Sequence, residues 1–416
     1  MTKPEETKPK AVFTRYEAFV IAILAILQFT VVLDFMVLSP LGAQLMEELK
    51  ILPSQFSAVV SAYAFSAGIS GLLAAGFADK FDRKKFLLVF YAGFLFGTFM
   101  CGIAPDYNAL LIARIITGIF GGVISSISFS IITDLFKMEV RGRVMGFVQM
   151  AFAGSQVLGL PIGLYLANKF GWHSPFLMIL GFSAVVGVII LIYMKPVNAH
   201  LKTKNDRNAF HHLALTISKP VYLKGFLATT LLATGGFMLM PFGSAFSIHN
   251  LGLKMEQLPL LYGVTGVFSM IFGPLTGKIS DKVGKYKVFV AGTIVSMLIV
   301  GIYTNLNETP LWEVLILNII LFIGISSRII SSSALMTAIP EPQDRGAFMG
   351  INSSIQQISG GIAAWCAGLI VVKTDSGKLE NYPILGVVVL VALLVTVIQF
   401  FFINKYVQSK LHKAQP

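Results

Sequence analysis

The chain has 416 residues, of which 55% are hydrophobic and only 12% charged, and its mean hydropathy is +0.78. This composition excludes a soluble protein with one buried core and predicts a membrane protein with several spans. The formal net charge of +12 does not indicate nucleic-acid binding, because the basic residues gather on one side of the apolar stretches. Cys101 and Cys366 fall inside apolar stretches, so no disulfide framework is expected.

Apolar stretches divide the chain into two sets of six. Behind a polar tail at 1–16, the first half at 17–195 holds six stretches of about 17 to 30 residues, long enough to cross a hydrocarbon core of ~30 Å. They run near 17–42, 56–78, 86–104, 107–134, 143–167 and 174–195. A polar linker at 196–222 precedes a second half at 223–405, whose stretches begin near 223, 257, 287, 311, 344 and 383, and a tail at 406–416 follows. The sequence therefore predicts twelve transmembrane helices, numbered here as spans 1 to 12.

Lysine and arginine are distributed unevenly between the two ends of these spans. Of the 32 basic residues, 25 fall in the segments on one side, two lie inside spans and five fall on the other side. The five are Lys50, Lys169, Lys254, Lys373 and Lys378. By the positive-inside rule the basic side is the cytoplasm. Both termini and the linker are therefore predicted to be cytoplasmic, in an integral protein of the cell membrane.

Two short polar segments share a pattern, and each joins two spans. One reads AGFADKFDRKK from Ala75 and the other reads GKISDKVGKYK from Gly277. Their acids, Asp79 and Asp281, are 202 residues apart. An acid at the end of one span, followed by a basic turn into the next, predicts a cytoplasmic hairpin. Two such hairpins at this separation predict two repeated halves.

An Arg-Gly pair opens a span further along each half, and its two copies support the same alignment. Arg141 and Arg345 are 204 residues apart, so the halves align with a shift of only two residues. The second polar segment matches the loop pattern G-x-x-x-D-[RK]-x-G-[RK]-x-[RK] of the major facilitator superfamily at every position. The first departs from it at Ala75 and Asp82, where the family has glycine. Over about residues 15–405 the chain resembles this superfamily, and within it the 12-span drug/solute:proton antiporter group.

The resemblance implies an all-α membrane protein whose 12 transmembrane helices form two pseudo-symmetric six-helix halves. It also implies that spans 1, 4, 7 and 10 line a substrate cavity between the halves and that loop residues gate this cavity. The gate residues are Asp79, Arg83, Asp134, Asp281, Gly284, Arg141 and Arg345. Asp79 is expected at the N-terminal end of span 11, where the helix dipole favours an anion, and Arg83 is expected to pair with Asp134 in the outward-facing state. The alternative is that these charges only set the topology.

Asp34 is the one carboxylate deep inside a span, where a charge is costly unless it meets a partner or a cavity. Arg114 in span 4 lies in LIARIITG, which resembles the family motif l-x-x-R-x-x-q-G, associated with proton transfer, with Thr117 in place of glutamine. At 1.5 Å per residue both lie ~10 to 12 Å below the outer ends of their helices, at matching depth. We predict that Asp34 and Arg114 carry proton coupling. The alternative is a permanent structural ion pair.

Arg328 in span 10 lies in the polar stretch SSRIISSS, ~26 Å below the outer face by the same rise per residue and too deep to meet Asp34. It is predicted either to hold an anionic or strongly polar substrate group or to extend its charge to the cytoplasmic headgroups. The repeat places Asn318 opposite Arg114, so coupling is assigned to the first half. The other predicted substrate-binding residues are Asn318, Gln28, Met36, Met238, Asn352 and Gln356. For Asn352 and Gln356 the alternative is hydrogen bonding between helices.

Span 5 is rich in glycine and proline. Gly146, Gly154, Gly159 and Pro161 make it resemble the fifth helix that exporters of the family share, which implies antiport. Close packing of membrane helices explains the glycines equally well.

Other classes of protein find little support in the sequence. There is no phosphate-binding loop of the G-x-x-x-x-G-K-[ST] type, and the six histidines lie at span ends or in polar segments, so neither an ATP-driven pump, an enzyme nor a metal site is expected. The prediction is a monomeric, proton-coupled exporter of a small amphipathic or polar organic solute, without a cofactor, whose partners are the small-molecule substrate, protons and the lipid bilayer. The alternatives are a proton-coupled uptake symporter and a transporter-like receptor without turnover.

Overall fold

The computed structural model describes residues 13–77, 80–198, 201, 209–341, 344–374 and 377–413. Helices make up nearly all of this part of the chain. The strands found in it are a short antiparallel pair, β1 at Val372–Lys373 and β2 at Leu379–Glu380, in the connection before the last helix. The prediction of an all-α protein is confirmed.

The first half contains eight α-helices within the described residues. They are α1 Arg15–Val37, α2 Gly42–Glu48, α3 Pro53–Phe77, α4 Arg83–Ile103, α5 Tyr107–Leu135, α6 Met138–Gly154, α7 Leu160–Phe170 and α8 Ser174–Tyr193. Side chains cap three of their N-termini. Thr14 and Glu17 form a reciprocal capping box at α1, and the carboxylates of Asp82 and Asp106 accept the free amides at the starts of α4 and α5.

The second half follows a short helix in the predicted linker, α9 at Ala209–Ser218. Its own helices are α10 Pro220–Phe237, α11 Gly243–His249, α12 Leu258–Val283, α13 Lys285–Tyr303, α14 Leu311–Met336, α15 Arg345–Ile370 and α16 Tyr382–Lys413. Prolines open α10 and α12, where a missing amide hydrogen costs no helical hydrogen bond. Each half therefore supplies six membrane-length segments.

Eleven helical segments of the described chain are long and apolar enough to cross a membrane. The twelfth, α15, has 26 residues and packs along α3 and α10, but its polar side chains lower its hydropathy. Asn352 and Ser359 on α15 bond to Thr229 and Thr230 on α10, at 2.6 and 3.1 Å. Contacts of this kind allow a polar helix to lie within the bundle, because its hydroxyl and amide groups find partners there.

Two spans are interrupted, which the sequence pattern does not predict. Span 5 divides into α6 and α7 at a π-helical turn, Ser155–Gly159, next to Pro161. Proline removes a donor from the helical ladder, and the Ser155 hydroxyl donates a hydrogen bond of 3.1 Å to the carbonyl of Phe29 on α1. Span 7 divides into α10 and α11 at a 3₁₀ turn that contains Pro241.

The bundle has two unlike ends. We name the end that carries residues 194–198 and 209–219 the linker end, and the opposite end, which carries α2 and α11, the distal end. One hydrophobic cluster at the distal end joins the halves and includes Phe56 from the first and Phe242 from the second. Toward the linker end each half has its own buried cluster, one around Ile131 and the other around Phe348. The halves are thus packed together at the distal end and have separate cores at the linker end.

Glycines permit the most extensive contact between the halves, that of α3 with α15. A Cβ atom on Gly368 would lie 2.5 Å from the Cβ atom of Ser57, and one on Gly361 would lie 3.2 Å from the ring of Phe65. Such distances require glycine, because the backbones of the two helices could not approach as closely with a larger residue.

Candidate functional site

The carboxylate of Asp34 and the guanidinium of Arg114 form a buried ion pair. Asp34 lies in the last turn of α1 and Arg114 in the second turn of α5. Arg114 Nη1 is 2.7 Å from Asp34 Oδ2 and 3.2 Å from the carbonyl oxygen of Asp34. Both side chains are 0% exposed. The sequence places these residues at one depth, and the structure brings them into direct contact.

Two neighbouring side chains contact this ion pair. The Thr98 hydroxyl of α4 donates a hydrogen bond of 3.2 Å to Asp34 Oδ1. The Tyr63 ring of α3 lies 4.4 Å from Arg114 Cζ, within the range of a cation–π contact. Two nitrogens of Arg114, Nε and Nη2, are buried without a hydrogen-bond partner among the described residues. The guanidinium therefore retains donors for a further acceptor.

Close helix packing keeps water away from the pair. A Cβ atom on Gly97 of α4 would lie 2.5 Å from Thr117 Oγ1, and one on Gly118 of α5 would lie 2.5 Å from the carbonyl oxygen of Tyr63. Gly118 ends the LIARIITG motif that contains Arg114, so this glycine lets α3 approach α5 beside the ion pair. In such a dry site the attraction between the two charges is much stronger than in water.

Arg328 is buried inside the second half. Its side chain belongs to α14, and the residue is 3% exposed. Its Nε and Nη2 atoms are buried without a hydrogen-bond partner among the described residues, and a Cβ atom on Gly235 of α10 would lie 3.6 Å from Nη2. In this state the guanidinium is buried in the helix bundle and does not reach its surface.

The other predicted substrate-binding residues differ in their hydrogen-bond partners and in their exposure. The side-chain oxygen of Gln28 accepts a hydrogen bond of 3.2 Å from Ser125, and that of Asn352 accepts one from Thr229. The amide of Asn318 donates to the carbonyl of Val314 in its own helix, at 2.9 Å. These three residues therefore make contacts within or between helices in this state. The remaining three are Met36, which is partly buried, Met238, which is 2% exposed in the distal cluster, and Gln356, which is exposed.

The predicted gate residues that the structure describes lie at the linker end, and the first half brings two of them together. Arg83 Nε is 2.9 Å from Asp134 Oδ2. This pair is formed while the distal end is packed closed, which is not the outward-facing state for which the sequence predicts it. The guanidinium of Arg141 donates to the carbonyls of Thr133 and Phe136, at 2.5 and 2.8 Å. Asp79 lies outside the described residues.

The gate residues of the second half are more exposed. Asp281 lies 3.4 Å from Lys285, one turn away on a solvent-accessible surface. Gly284 has a φ of +109°, a conformation that favours glycine, which explains this position of the motif. Arg345 begins α15 and is exposed.

The sequence does not predict a polar cluster that lies at the linker end of the second half. The buried carboxylate of Asp344 accepts hydrogen bonds from the Lys219 ammonium and, at 2.8 Å, from the Tyr222 hydroxyl. The Tyr222 oxygen in turn accepts from the amide of Glu341, at 2.9 Å. Lys410 of α16 donates to the carbonyls of residues 339 and 340. No repeat or family motif in the sequence marks these pairings.

The distal end is sealed by polar contacts that the sequence also does not indicate. The Ser39 hydroxyl donates to the carbonyl of Met240, and the Ser244 hydroxyl donates to the carbonyl of Ser39 at 3.0 Å. His249 Nε2 lies 3.5 Å from Glu47 Oε1. Each contact joins the first half to the second, so they add to the hydrophobic cluster that closes this end.

The chain is similar to transporters along most of its length. A family model for the Major Facilitator Superfamily matches residues 24–303 and 225–416. An uncharacterized MFS-type transporter of Bacillus subtilis, YceJ, is 28% identical over 275 residues, which cover 66% of this chain and 68% of that protein. Multidrug resistance protein 3 of the same species is 34% identical over 152 residues, 36% of this chain and 30% of that protein.

Among solved structures, the crystal structure of a D-xylose–proton symporter superposes with a TM-score of 0.72 at 19% identity, over 91% of this chain and 97% of that one. This likeness supports the fold alone. Together with the two six-helix halves, the match of the family model establishes the family and a transport function without enzyme activity. The chain belongs to the Major Facilitator Superfamily.

Proposed function

We propose that the chain is a proton-coupled secondary transporter that exports a small amphipathic or polar organic solute by alternating access. The observation that carries this proposal is the buried ion pair of Asp34 and Arg114 on spans 1 and 4. Burying two charges costs several kcal/mol per ion before their mutual attraction offsets it. Ionisable residues are therefore rare inside membranes, and those found there are associated with ion and substrate pathways.

The geometry of the pair supports a proton-linked change at this site. Protonation of Asp34 removes the charge that holds Arg114 Nη1, and Arg114 already has two buried nitrogens without a described partner. A guanidinium released in this way is available to another acceptor, such as a polar group of the substrate. Binding of a proton and release of a substrate contact thereby become linked at one residue pair.

The different packing at the two ends supports alternating access. The distal end is sealed by a shared hydrophobic cluster, whereas each half has a separate core at the linker end. The distribution of basic residues supports a cytoplasmic position for the linker end. In this state the molecule would then receive solute from the cytoplasm, and rocking of the halves against each other along α3 and α15 would expose the site on the other side.

Two observations support export over uptake. The relative from Bacillus subtilis that is 34% identical over part of the chain is named multidrug resistance protein 3. Span 5 combines the Gly- and Pro-rich sequence that resembles the family's exporters with a π-helical turn at Ser155–Gly159, and such turns often occur at functional sites. Because both cavity-forming halves belong to one chain, the proposed transporting unit is a monomer.

One carboxylate suffices to drive the proposed export. One proton that enters across 100 mV releases about 2.3 kcal/mol, and one pH unit adds about 1.4 kcal/mol. Their sum, ~3.7 kcal/mol, supports a gradient of between two and three decades for a neutral solute. Asp34 can supply this coupling without a second acid in the membrane.

Proton movement during solute release tests the proposal. A ligand-stabilisation screen on the purified protein identifies a solute, which is then loaded with a pH indicator into proteoliposomes that are diluted into solute-free buffer. Antiport predicts that the lumen acidifies as solute leaves. Symport predicts that the lumen becomes alkaline, and a receptor without turnover predicts no pH change and no counterflow. Liposomes without protein are the control.

A further inference from the structure

Arg328 is a buried cation for which the described residues of the second half provide no acid. Its Nε and Nη2 atoms have no hydrogen-bond partner among the described residues. The described acids of this half all lie in loops or within the end turns of helices. They are Glu256, Asp281, Glu308, Glu313, Glu341, Asp344 and Glu380. A buried charge without a partner is strongly destabilising, so this arginine is expected to have an anionic partner that comes from outside the fold.

The guanidinium of Arg328 lies against a glycine of α10. A Cβ atom on Gly235 would lie 3.6 Å from Arg328 Nη2 and 3.1 Å from Leu393 Cδ2 of α16. Gly235 therefore provides no acceptor side chain for Nη2, which has no hydrogen-bond partner among the described residues.

The turn that carries Arg328 is held firmly. A Cβ atom on Gly292 of α13 would lie 2.7 Å from Ser327 Cβ, and one on Gly324 of α14 would lie 2.6 Å from Ser296 Oγ. This close contact between α13 and α14 restrains α14 immediately before Arg328. A guanidinium held in place presents its planar fork to a carboxylate or sulfonate with little loss of side-chain entropy.

We propose that the substrate is an organic anion and that its carboxylate or sulfonate pairs with Arg328 while its apolar part lies between the halves. This proposal rests on the proposed transport function and names its substrate class. The first half provides the proton site at Asp34 and the second half provides the counter-ion of the substrate, so the two halves have different chemical tasks. An inorganic anion such as phosphate has the same charge and acceptor atoms, and the experiment separates the two sources.

The test compares acids with their own neutral amides. Dansylglycine, 1-naphthylacetic acid and cholic acid, each paired with its primary amide, are added to the purified protein, and the shift in melting temperature and the affinity are measured. We expect at least one acid to stabilise the wild type where its amide does not. Arg328→Gln should weaken binding of that acid about 30-fold or more, as expected when a buried charge pair loses one partner. Arg328→Lys should recover only part of the affinity, because the charge remains and the fork is lost.

Controls separate the site from general charge and folding effects. Lys405→Gln removes an exposed cation from α16 of the same half and should leave acid binding unchanged. Gly235→Ala places a methyl group 3.6 Å from Arg328 Nη2, where the anion would bind, and should also weaken acid binding. This second variant keeps the proposal testable if Arg328→Gln does not fold.

Several results would overturn the proposal. It is wrong if no acid in the panel stabilises the wild type better than its amide, or if Arg328→Gln and Gly235→Ala both bind the acid with wild-type affinity. Stabilisation by sodium phosphate alone, with no effect of the organic acids, would assign Arg328 to an inorganic anion instead. These assays measure binding without a pH gradient, so they can succeed even if the proteoliposome experiment rules out proton coupling.

Discussion

Arg83 Nε donates a hydrogen bond of 2.9 Å to Asp134 Oδ2 and so joins the start of α4 to the end of α5. The two side chains are 5% and 17% exposed. The repeat places Lys285 at the position of Arg83 in the second half. Within the described chain, the one ion-pair partner of Lys285 is the exposed carboxylate of Asp281, one turn away. At the linker end of the second half, the buried carboxylate of Asp344 makes the polar contacts instead, with Lys219 and Tyr222. The two halves therefore reach a similar backbone fold through different polar contacts.

Replacement of Arg83 by glutamine should destabilise the protein. The substitution removes the charged hydrogen bond to Asp134 Oδ2, and hydrogen bonds to charged groups contribute about 1.5 to 3 kcal/mol. Lys285→Gln is the matched control, because an exposed pair contributes at most about 1 kcal/mol. Thermal unfolding of both variants in detergent measures the difference. Equal changes in melting temperature would show that the buried contact stabilises the protein no more than the exposed one does.

Alkaline pH should weaken the contact between Lys219 and Asp344. The hydrogen bond to Asp344 raises the pKa of Lys219 above its ordinary value of 10.5. Because the folded pKa is the higher one, the stabilisation is complete below the ordinary value and is lost as the pH rises through the folded value. The melting temperature of the wild type should therefore fall above about pH 10.5 by more than that of Asp344→Asn.

Tyr222→Phe is the comparison variant for this pH dependence. It removes the second hydrogen bond to Asp344 and a phenol whose own pKa is raised by burial, but it keeps the lysine. Its alkaline fall should therefore be smaller than that of the wild type and larger than that of Asp344→Asn. If Asp344→Asn loses melting temperature with pH as steeply as the wild type does, Lys219 contributes nothing to the closure of this end.

Gly368→Ala should open the distal end. The added methyl group would lie 2.5 Å from Ser57 Cβ and 3.0 Å from the carbonyl oxygen of Pro53, so α15 and α3 must separate where the halves meet. Overpacking of this kind costs about 1 to 3 kcal/mol. The parent for labelling lacks both native cysteines and carries Ser39→Cys. In this parent, Gly368→Ala should increase the rate at which position 39 reacts with a membrane-impermeant maleimide.

Gly350→Ala is the matched control on the same helix, because a Cβ atom there would meet nothing within 4 Å. Its labelling rate at position 39 should equal that of the parent protein. If Gly368→Ala also leaves the rate unchanged, contact between α3 and α15 does not determine whether the distal end is closed.

Hydropathy and the internal repeat were sufficient to predict most of the fold. Long apolar stretches predict spans because every backbone group in lipid must bond within a helix. Asp34 and Arg114 could be placed together because depth along a helix follows from the rise per residue. The same logic placed Arg328 far from Asp34 but could not give its direction, because rotation about the helix axis depends on packing against α10 and α13.

The features that the sequence did not reveal depend on contacts between distant segments. The π-helical turn at Ser155–Gly159 is accompanied by a hydrogen bond to α1, and nothing in span 5 alone requires it. The Asp344 cluster joins this residue to Lys219 and Tyr222, more than 100 positions away, and none of the three belongs to a repeated motif. Polarity along α15 lowers its hydropathy, and its membrane position becomes plain only beside Thr229 and Thr230 of α10.

The central claim is that Asp34 carries the coupling proton. The most direct measurement is transport by Asp34→Asn in proteoliposomes, with two assays on the same preparation: accumulation of solute driven by a pH difference, and exchange of labelled for unlabelled solute without one. The account predicts that pH-driven accumulation is lost and that exchange survives, because exchange needs the rocking motion but no proton. Loss of both activities would indicate a structural ion pair, since Arg114 would then remain buried without its partner. Accumulation against a gradient by the Asn variant would contradict the claim and place proton coupling at another residue.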